Sequence, residues 1–214
     1  MDDAPLVHGK ARPGRDAGAT EAGDDMPGPI RSGGGGGDTA TGREREKVGI
    51  FFGSTSYGTA DAARLILAAF GRDAADLYDV ARASAADVER YRRLVFGTST
   101  WGDGGLQHDW DTFIHELDRA DLEGKVAAVF ALGDQVVWSK SFVDSMRTVH
   151  DKLKERGAHL VGSWPSEGYT FDASRALDGD HFVGLALDKM NQRDLTASRV
   201  EEWVSRLRRE FGME

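Results

Sequence analysis

Residues Val48–Thr59 read V-G-I-F-F-G-S-T-S-Y-G-T, and no other stretch of the chain constrains the fold as tightly. An apolar run ends at Gly53 and opens into a loop of hydroxyl-bearing residues and glycine. After it, Ala62, Leu65, Ile66 and Ala69 recur at helical spacing. A buried strand that passes through such a loop into a helix makes an anion cradle, because backbone N–H groups and the positive end of the helix dipole converge there. Gly53 and Gly58 have the spacing of the nucleoside-triphosphate loop G-x-x-x-x-G-K-[ST], but Thr59 stands in the lysine position and Ala60 follows it. The lysine that reaches β- and γ-phosphates is missing, which argues against ATP or GTP. The loop suits one terminal phosphate held by the hydroxyls of Ser54, Thr55, Ser56 and Thr59 and by main-chain amides.

From residue 47 onward, short apolar runs alternate with helix-period segments. The runs Val48–Phe52, Asp76–Val80, Leu94–Gly97, Val126–Leu132 and His159–Val161 read as strands. Helical stripes occur at Trp110, Phe113, Ile114 and Leu117, at Phe142, Met146, Val149 and Leu153, and at Val200, Trp203, Val204, Leu207 and Phe211. A further short helix is expected near Ser84–Arg90. Alternation of this kind, with strands apolar throughout, predicts an α/β fold: a three-layer, doubly wound, five-stranded parallel sheet. Its ligand belongs at the carboxyl ends of the strands, by the switch point in strand order. Residues 163–191 break the rhythm with Gly168, Gly179, Gly184, the turn dipeptide Asp178-Gly179 and the extended run His181–Leu187. They read as an insertion in the last strand that forms a small lobe of its own.

The first 46 residues are a different kind of sequence. They hold 11 of the 27 glycines, almost no large apolar side chains, and nine acids against six bases, leaving −6 of the net −9 on residues 47–214. Such a segment cannot bury enough surface to offset its ordering entropy and is expected to be a disordered extension. It has neither the apolar core of a secretory signal nor the acid-poor composition of a transit peptide. With no cysteine, disulfides, zinc thiolates and iron–sulfur clusters are excluded. No run approaches the ~20 apolar residues of a membrane span. The acidic balance and the lack of a basic stripe argue against nucleic acid. A cytoplasmic monomer with no membrane partner is expected.

Two more loops carry chemistry. Thr98–Gln107 reads T-S-T-W-G-D-G-G-L-Q after the third strand, and Ala131–Trp138 reads A-L-G-D-Q-V-V-W after the fourth. Each places a tryptophan just beyond a strand's carboxyl end, where a core residue is not expected. A planar ligand between Trp101 and Trp138, with its phosphate at Ser54–Thr59, accounts for all three loops together. The six histidines show no metal-ligand spacing, and no general acid, base or nucleophile is needed.

These strings, with the insertion E-G-Y-T-F-D-A-S-R-A-L-D-G-D-H-F-V-G-L-A-L-D and the following N-Q-R-D-L-T-A-S-R-V, make residues 47–214 resemble a long-chain flavodoxin across the whole domain. The resemblance implies a flavodoxin-like fold, one non-covalent FMN, and one-electron transport between larger redox proteins. A ferredoxin/flavodoxin-NADP reductase or another low-potential donor or acceptor is the implied partner. It also implies the cofactor-binding residues. Ser54, Thr55, Ser56, Tyr57, Gly58 and Thr59 match the phosphate loop. Thr98, Ser99, Thr100, Trp101, Gly102, Asp103 and Gly104 match the loop on one flavin face, with Trp101 stacking. Gly133, Asp134, Gln135 and Trp138 match the loop on the other face, with Asp134 and Gln135 near the pyrimidine edge. Trp138 stands where the family usually has tyrosine, and Tyr57 takes the place of a glycine that here comes one residue later as Gly58. The family often has acids where Gly105, Lys189 and Met190 stand, so a less negative docking surface is expected.

The resemblance gives the residues roles. An electron-rich Trp face, a phosphate loop without Lys or Arg, and the acids Asp103 and Asp134 would all disfavour added negative charge on the flavin and lower its potential. In the family, a peptide just after the stacking aromatic turns its carbonyl toward the proton at N5, and here that peptide is Gly102–Asp103. Acids near the flavin edge, with Asp109 and Asp111 as helix charges, would steer a basic-faced partner. The alternative on the same fold is an FMN-dependent NAD(P)H:quinone-type reductase, which needs room for a second planar substrate and a cation for the nucleotide phosphate. A phospho-acceptor domain of the same topology would need acids where Gly53 and Gly97 stand.

Overall fold

The computed structural model describes residues 46–214. The expected disordered extension over residues 1–46 therefore falls, apart from Glu46, outside the described residues.

Five strands and their crossover helices follow the expected order. They are β1 (Val48–Phe52), α1 (Gly58–Phe70), β2 (Ala75–Asp79), α2 (Ala85–Glu89), β3 (Arg93–Ser99), α3 (His108–Leu117), β4 (Val126–Leu132), α4 (Asp144–Glu155) and β5 (His159–Leu160). The sheet runs β2-β1-β3-β4-β5 with every neighbour parallel. Strand order reverses between β1 and β3, which is where a doubly wound sheet opens a crevice.

Both faces of the sheet are buried, and successive residues show why. Phe51 of β1 and Phe96 of β3 stack at 5.5 Å on the face covered by α3, where they meet Phe113 and Trp110. The next residue after Phe96 points to the other face. There Gly97 leaves room for the ring of Phe130, to which an added Cβ would come within 2.1 Å, and Phe130 packs edge-on against Trp203. Trp203 belongs to α5 (Thr196–Glu210), which lies beside α1. The short α2 forms because Ser84 and Asp87 cap it reciprocally, the serine amide and hydroxyl both donating to the Asp87 carboxylate at 3.0 and 2.7 Å. The third predicted stripe begins one residue pair too early: α4 starts at Asp144, and Phe142 belongs to the turn before it, facing the rings of Tyr169, Phe171 and Phe182.

The last strand is split. Strand β5 pairs with Val126 and Ala127 at the start of β4, and β9 (Leu185–Leu187) takes over along Phe130–Leu132 in the same parallel sense. Between them, β6 (Trp164–Pro165), β7 (Leu177–Asp178) and β8 (His181–Phe182) form a separate antiparallel sheet in the order β6-β8-β7. The run His181–Leu187 is thus two strands broken at Gly184 rather than one. The insertion is tied to the main domain at β9: the Tyr169 hydroxyl donates to the Ala186 carbonyl at 2.5 Å, burial pushes that phenol up to about 12, and Arg199 lies 4.1 Å over its ring. A single 3₁₀ turn, Arg193–Leu195, then leads into α5.

A Cβ at Gly184 would sit 2.0 Å from the carbonyl oxygen of Val129, a backbone atom that cannot move aside. Gly184→Ala must therefore lift β9 off β4. We expect a loss of stability at the upper end of the roughly 1–3 kcal/mol typical of overpacking, read as a lower urea midpoint. Loss of amide-exchange protection should be concentrated at Leu185–Leu187.

Candidate functional site

A cleft of about 470 Å³ opens at the carboxyl ends of β1, β3, β4 and β9. Its walls carry Ser56, Gly58, Thr59 and Asp61 from the first loop and α1, and Ser99, Thr100 and Trp101 from the second loop. Leu132, Gly133, Asp134 and Trp138 come from the third, and Lys189, Met190 and Arg193 from the segment after β9. The three loops singled out from sequence are thus brought to one place.

The first loop is built as a helix amino terminus. Tyr57 precedes α1 with φ 60° and ψ −13°, the left-handed conformation, so the chain follows a path that favours glycine. A tyrosine there costs roughly 1–2 kcal/mol, and its ring stands away from the cleft wall, 74% exposed. Ser54 satisfies one orphan amide of α1, its hydroxyl accepting from Ala60 N at 3.3 Å. Thr55 faces α3 instead, where its hydroxyl accepts from Gln107 Nε2 at 3.0 Å, while Gln107 caps α3 by accepting from Asp109 N. Only Ser56, Gly58 and Thr59 of the six predicted residues face the cleft.

The second loop is pinned from below by the start of α4. The Thr100 hydroxyl lies 2.9 Å from the Ser145 hydroxyl and accepts from Ser145 N, and the Thr100 amide donates to Leu132 O. Trp101 and Gly105 exchange backbone hydrogen bonds at 3.0 and 2.8 Å, closing a tight turn over Gly102, Asp103 and Gly104. The indole nitrogen of Trp101 donates to the Ser99 hydroxyl at 3.1 Å, which fixes the ring while leaving it 48% exposed. Gly102 has φ 51°, and its carbonyl accepts from the Gly104 amide at 2.9 Å and faces the Ser141 hydroxyl at 3.5 Å. Gly104 is packed on the carboxylate of Asp144, to which a Cβ would come within 3.0 Å. That carboxylate also accepts from Arg175 N at 2.7 Å, joining insertion to loop; burial pushes its pKa up, against the lowering effect of the Arg175 amide. Val143, buried beside it with φ 51°, is the second non-glycine left-handed residue among the described residues. Thr98 lies under the floor of the site, fully buried, its hydroxyl without a partner. It does not reach the cleft wall.

In the third loop, Asp134 and Trp138 face the cleft and Gln135 does not. Asp134 forms an Asx-type turn, its carboxylate accepting from Val136 N, Val137 N and Asn191 Nδ2 at 3.0, 2.9 and 2.9 Å. Partial burial raises the pKa of this group, but those three donors outweigh it and hold the carboxyl below the usual range. Gln135 turns inward because a buried amide needs partners: its side-chain oxygen accepts from Thr170 N at 2.6 Å, so it anchors the insertion. Trp138 is 43% exposed.

The fourth segment was missed from sequence as a wall of the site. Asp188, buried at the end of β9, accepts from Gln135 N, Met190 N, Asn191 N and Asn191 Nδ2, stitching the third loop to the residues that follow the insertion. No Lys or Arg stands in the three loops, but this segment brings Lys189 and Arg193 into the cleft. The available signal was the string L-A-L-D: once it is read as the returning half of the last strand, the residues after it must lie at the sheet's carboxyl edge. Among the described residues no three His, Cys, Asp or Glu side chains are grouped to hold a metal, and no helix is long and apolar enough to cross a membrane.

The flavodoxin family profile matches residues 50–203. Flavodoxin 1 of Escherichia coli is 44% identical over 168 residues, covering 78% of this chain and 96% of that protein. A flavodoxin of Nostoc is 41% identical over 168 residues, covering 78% and 99%. Among solved structures, the Fusobacterium nucleatum flavodoxin bound to flavin mononucleotide superposes with a TM-score of 0.74 at 27% identity, over 77% of this chain and 98% of that one.

Because one buried carboxylate organises two walls, Asp188→Ala leaves four donors unmet and should cost on the order of 1–3 kcal/mol. The expected signature is faster amide exchange at Gln135, Met190 and Asn191, with β1–β3 unaffected.

Proposed function

The chain belongs to the flavodoxin family, and we propose how its residues hold FMN and pass electrons. It is an electron carrier rather than an enzyme. The bound flavin supplies one-electron chemistry at its ring; the protein supplies binding, orientation and field.

The cleft fits that cofactor. Ser56 and Thr59 hydroxyls and the free amides at the start of α1 suit its phosphate, and Trp101 and Trp138 offer two half-exposed indoles for its ring. The observation that carries the reading is this pairing, in one cleft, of two exposed indoles with a helix start that Ser54 caps only at Ala60. Ser54 and Thr55 then brace the loop rather than touch the ligand, as Gln135 braces the third loop. The Gly102 carbonyl is turned toward Gly104 and Ser141. To meet a proton at flavin N5 it must turn outward, a movement for which glycine at φ 51° has the freedom. Asp134, locked in its ionised form by three N–H donors, adds a fixed negative charge beside the ring and favours a low potential.

Its partners are redox proteins, and we assign a ferredoxin/flavodoxin-NADP reductase or a similar low-potential protein as one of them. Around the cleft, Tyr57, Val136, Val137 and Met190 are all more than 60% exposed. This apolar surface offers a docking partner contact area beside the acidic steering expected from sequence. Action as a cytoplasmic monomer completes the proposal. The reductase reading is not favoured: although Lys189 and Arg193 put cations in the cleft, Trp101 and Trp138 line it where a second planar substrate would have to stack.

Purified protein should be yellow, with paired near-ultraviolet and blue bands, and its flavin should stay oxidised when NADPH alone is added. Colourless protein that takes up no FMN would overturn the proposal, and rapid bleaching by NADPH would favour the reductase. Gly102→Ala should bring the two one-electron midpoint potentials closer by tens of millivolts, the equivalent of a left-handed penalty of about 1 kcal/mol. Spectroelectrochemical titration measures the gap directly.

A further inference from the structure

We propose that Lys189, supported by Arg193, is the cation that makes the cleft select a phosphorylated flavin, with Asp61 as the residue that holds it in waiting. This rests on the FMN reading and replaces its purely uncharged phosphate site.

The Lys189 ammonium lies 2.8 Å from Asp61 Oδ2, and Asp61 stands on the first turn of α1, the turn whose Gly58 and Thr59 line the cleft. A segment remote in sequence therefore delivers a positive charge to the amino end of that helix. The pair joins the segment after β9 to α1, and both partners are in the cleft wall. As a stabilising ion pair it is modest, since Asp61 keeps 51% of its side chain exposed. Asp61 also has Arg64 at 3.2 Å, so its charge stays compensated when Lys189 turns to another anion. Both cations hold the Asp61 carboxyl below its usual range, Lys189 most strongly, so it remains ionised and able to retain the lysine.

Arg193 adds to this. It lines the same cleft, and its guanidinium has no hydrogen bond or ion pair among the described residues. A phosphomonoester brings about −1.5 to −2 charges at neutral pH, whereas the helix terminus answers with about +0.5. Hydroxyls and amides add donors but no net charge. Without Lys189, a phosphate at α1 would face the carboxylate of Asp61 on the same turn. With it, the ammonium is shared between carboxylate and phosphate, and Arg193 supplies a second cation. A flavin without the phosphate gains nothing from either.

Selectivity is therefore the readout. FMN and riboflavin are titrated against the apoprotein, following the quenching of flavin fluorescence, for wild type, Lys189→Met, Arg193→Gln, Asp61→Asn and the Lys189→Met/Asp61→Asn double variant. Lys189→Met should weaken FMN by about tenfold or more while changing riboflavin by less than about twofold. Arg193→Gln should show a smaller loss with the same selectivity. Asp61→Asn should leave FMN as tight or tighter, because it releases the lysine, and in the double variant it should recover part of the loss. Added salt should erode FMN binding more than riboflavin binding. Equal weakening of both flavins would reduce Lys189 to a piece of cleft wall and overturn the inference, as would unchanged FMN affinity. Wild type that takes up neither flavin would instead remove the FMN reading and this one with it. Unchanged urea midpoints of the apo-variants establish that each is folded.

Discussion

The carboxyl half of β4 has to be paired on both edges, and the rest of the site hangs on how that is done. On one edge β3 runs the full length of the strand; on the other, β5 covers only the first two residues and β9 covers the last three. The backbone approach that permits this is very close, with Gly184 against the Val129 carbonyl. Because β9 ends where β4 ends, the chain emerges at the cleft a second time on that side of the sheet. Asp188 then fastens the emerging segment to the third loop. An insertion that looks peripheral in sequence therefore supplies a wall of the cleft.

Much of this was legible in the residues. Val48–Phe52 and Val126–Leu132 are apolar throughout because both sheet faces are covered, and both strands have the ends their sequences mark. The three loops were legible because hydroxyls, glycines and a lone tryptophan after a buried strand have no use in a core. Gln135 was misplaced because sequence shows only that it neighbours Asp134. Its inward turn follows from the unmet amide of Thr170, in another part of the chain. Thr55 was misplaced for a similar reason, since Gln107 claims its hydroxyl across the cleft edge. Lys189 stood out only as a departure from a family pattern, and Arg193 did not stand out at all; their place in the cleft depends on the strand break before Leu185, which periodicity does not mark.

Charge is divided within the cleft in a way the net value of −9 hides. Asp134 is fixed by amide donors on the third loop, near one indole, and two cations stand on the segment that faces α1. A single cofactor thus meets a negative and a positive region. On the proposed reading, the negative one would resist further electrons and the positive one would retain the tail. A uniformly acidic site would serve the first purpose at the expense of the second.

Val143, buried and β-branched at φ 51°, is held uphill of its relaxed shape. Its neighbours Ser141, Asp144 and Ser145 are the ones that grip the second loop. Descendants of this gene are consequently not free to relax the bend one residue at a time. Any change that straightens it carries three contacts away together, so divergence at this corner must proceed by coordinated replacement, and the turn should drift more slowly than its composition would lead one to guess.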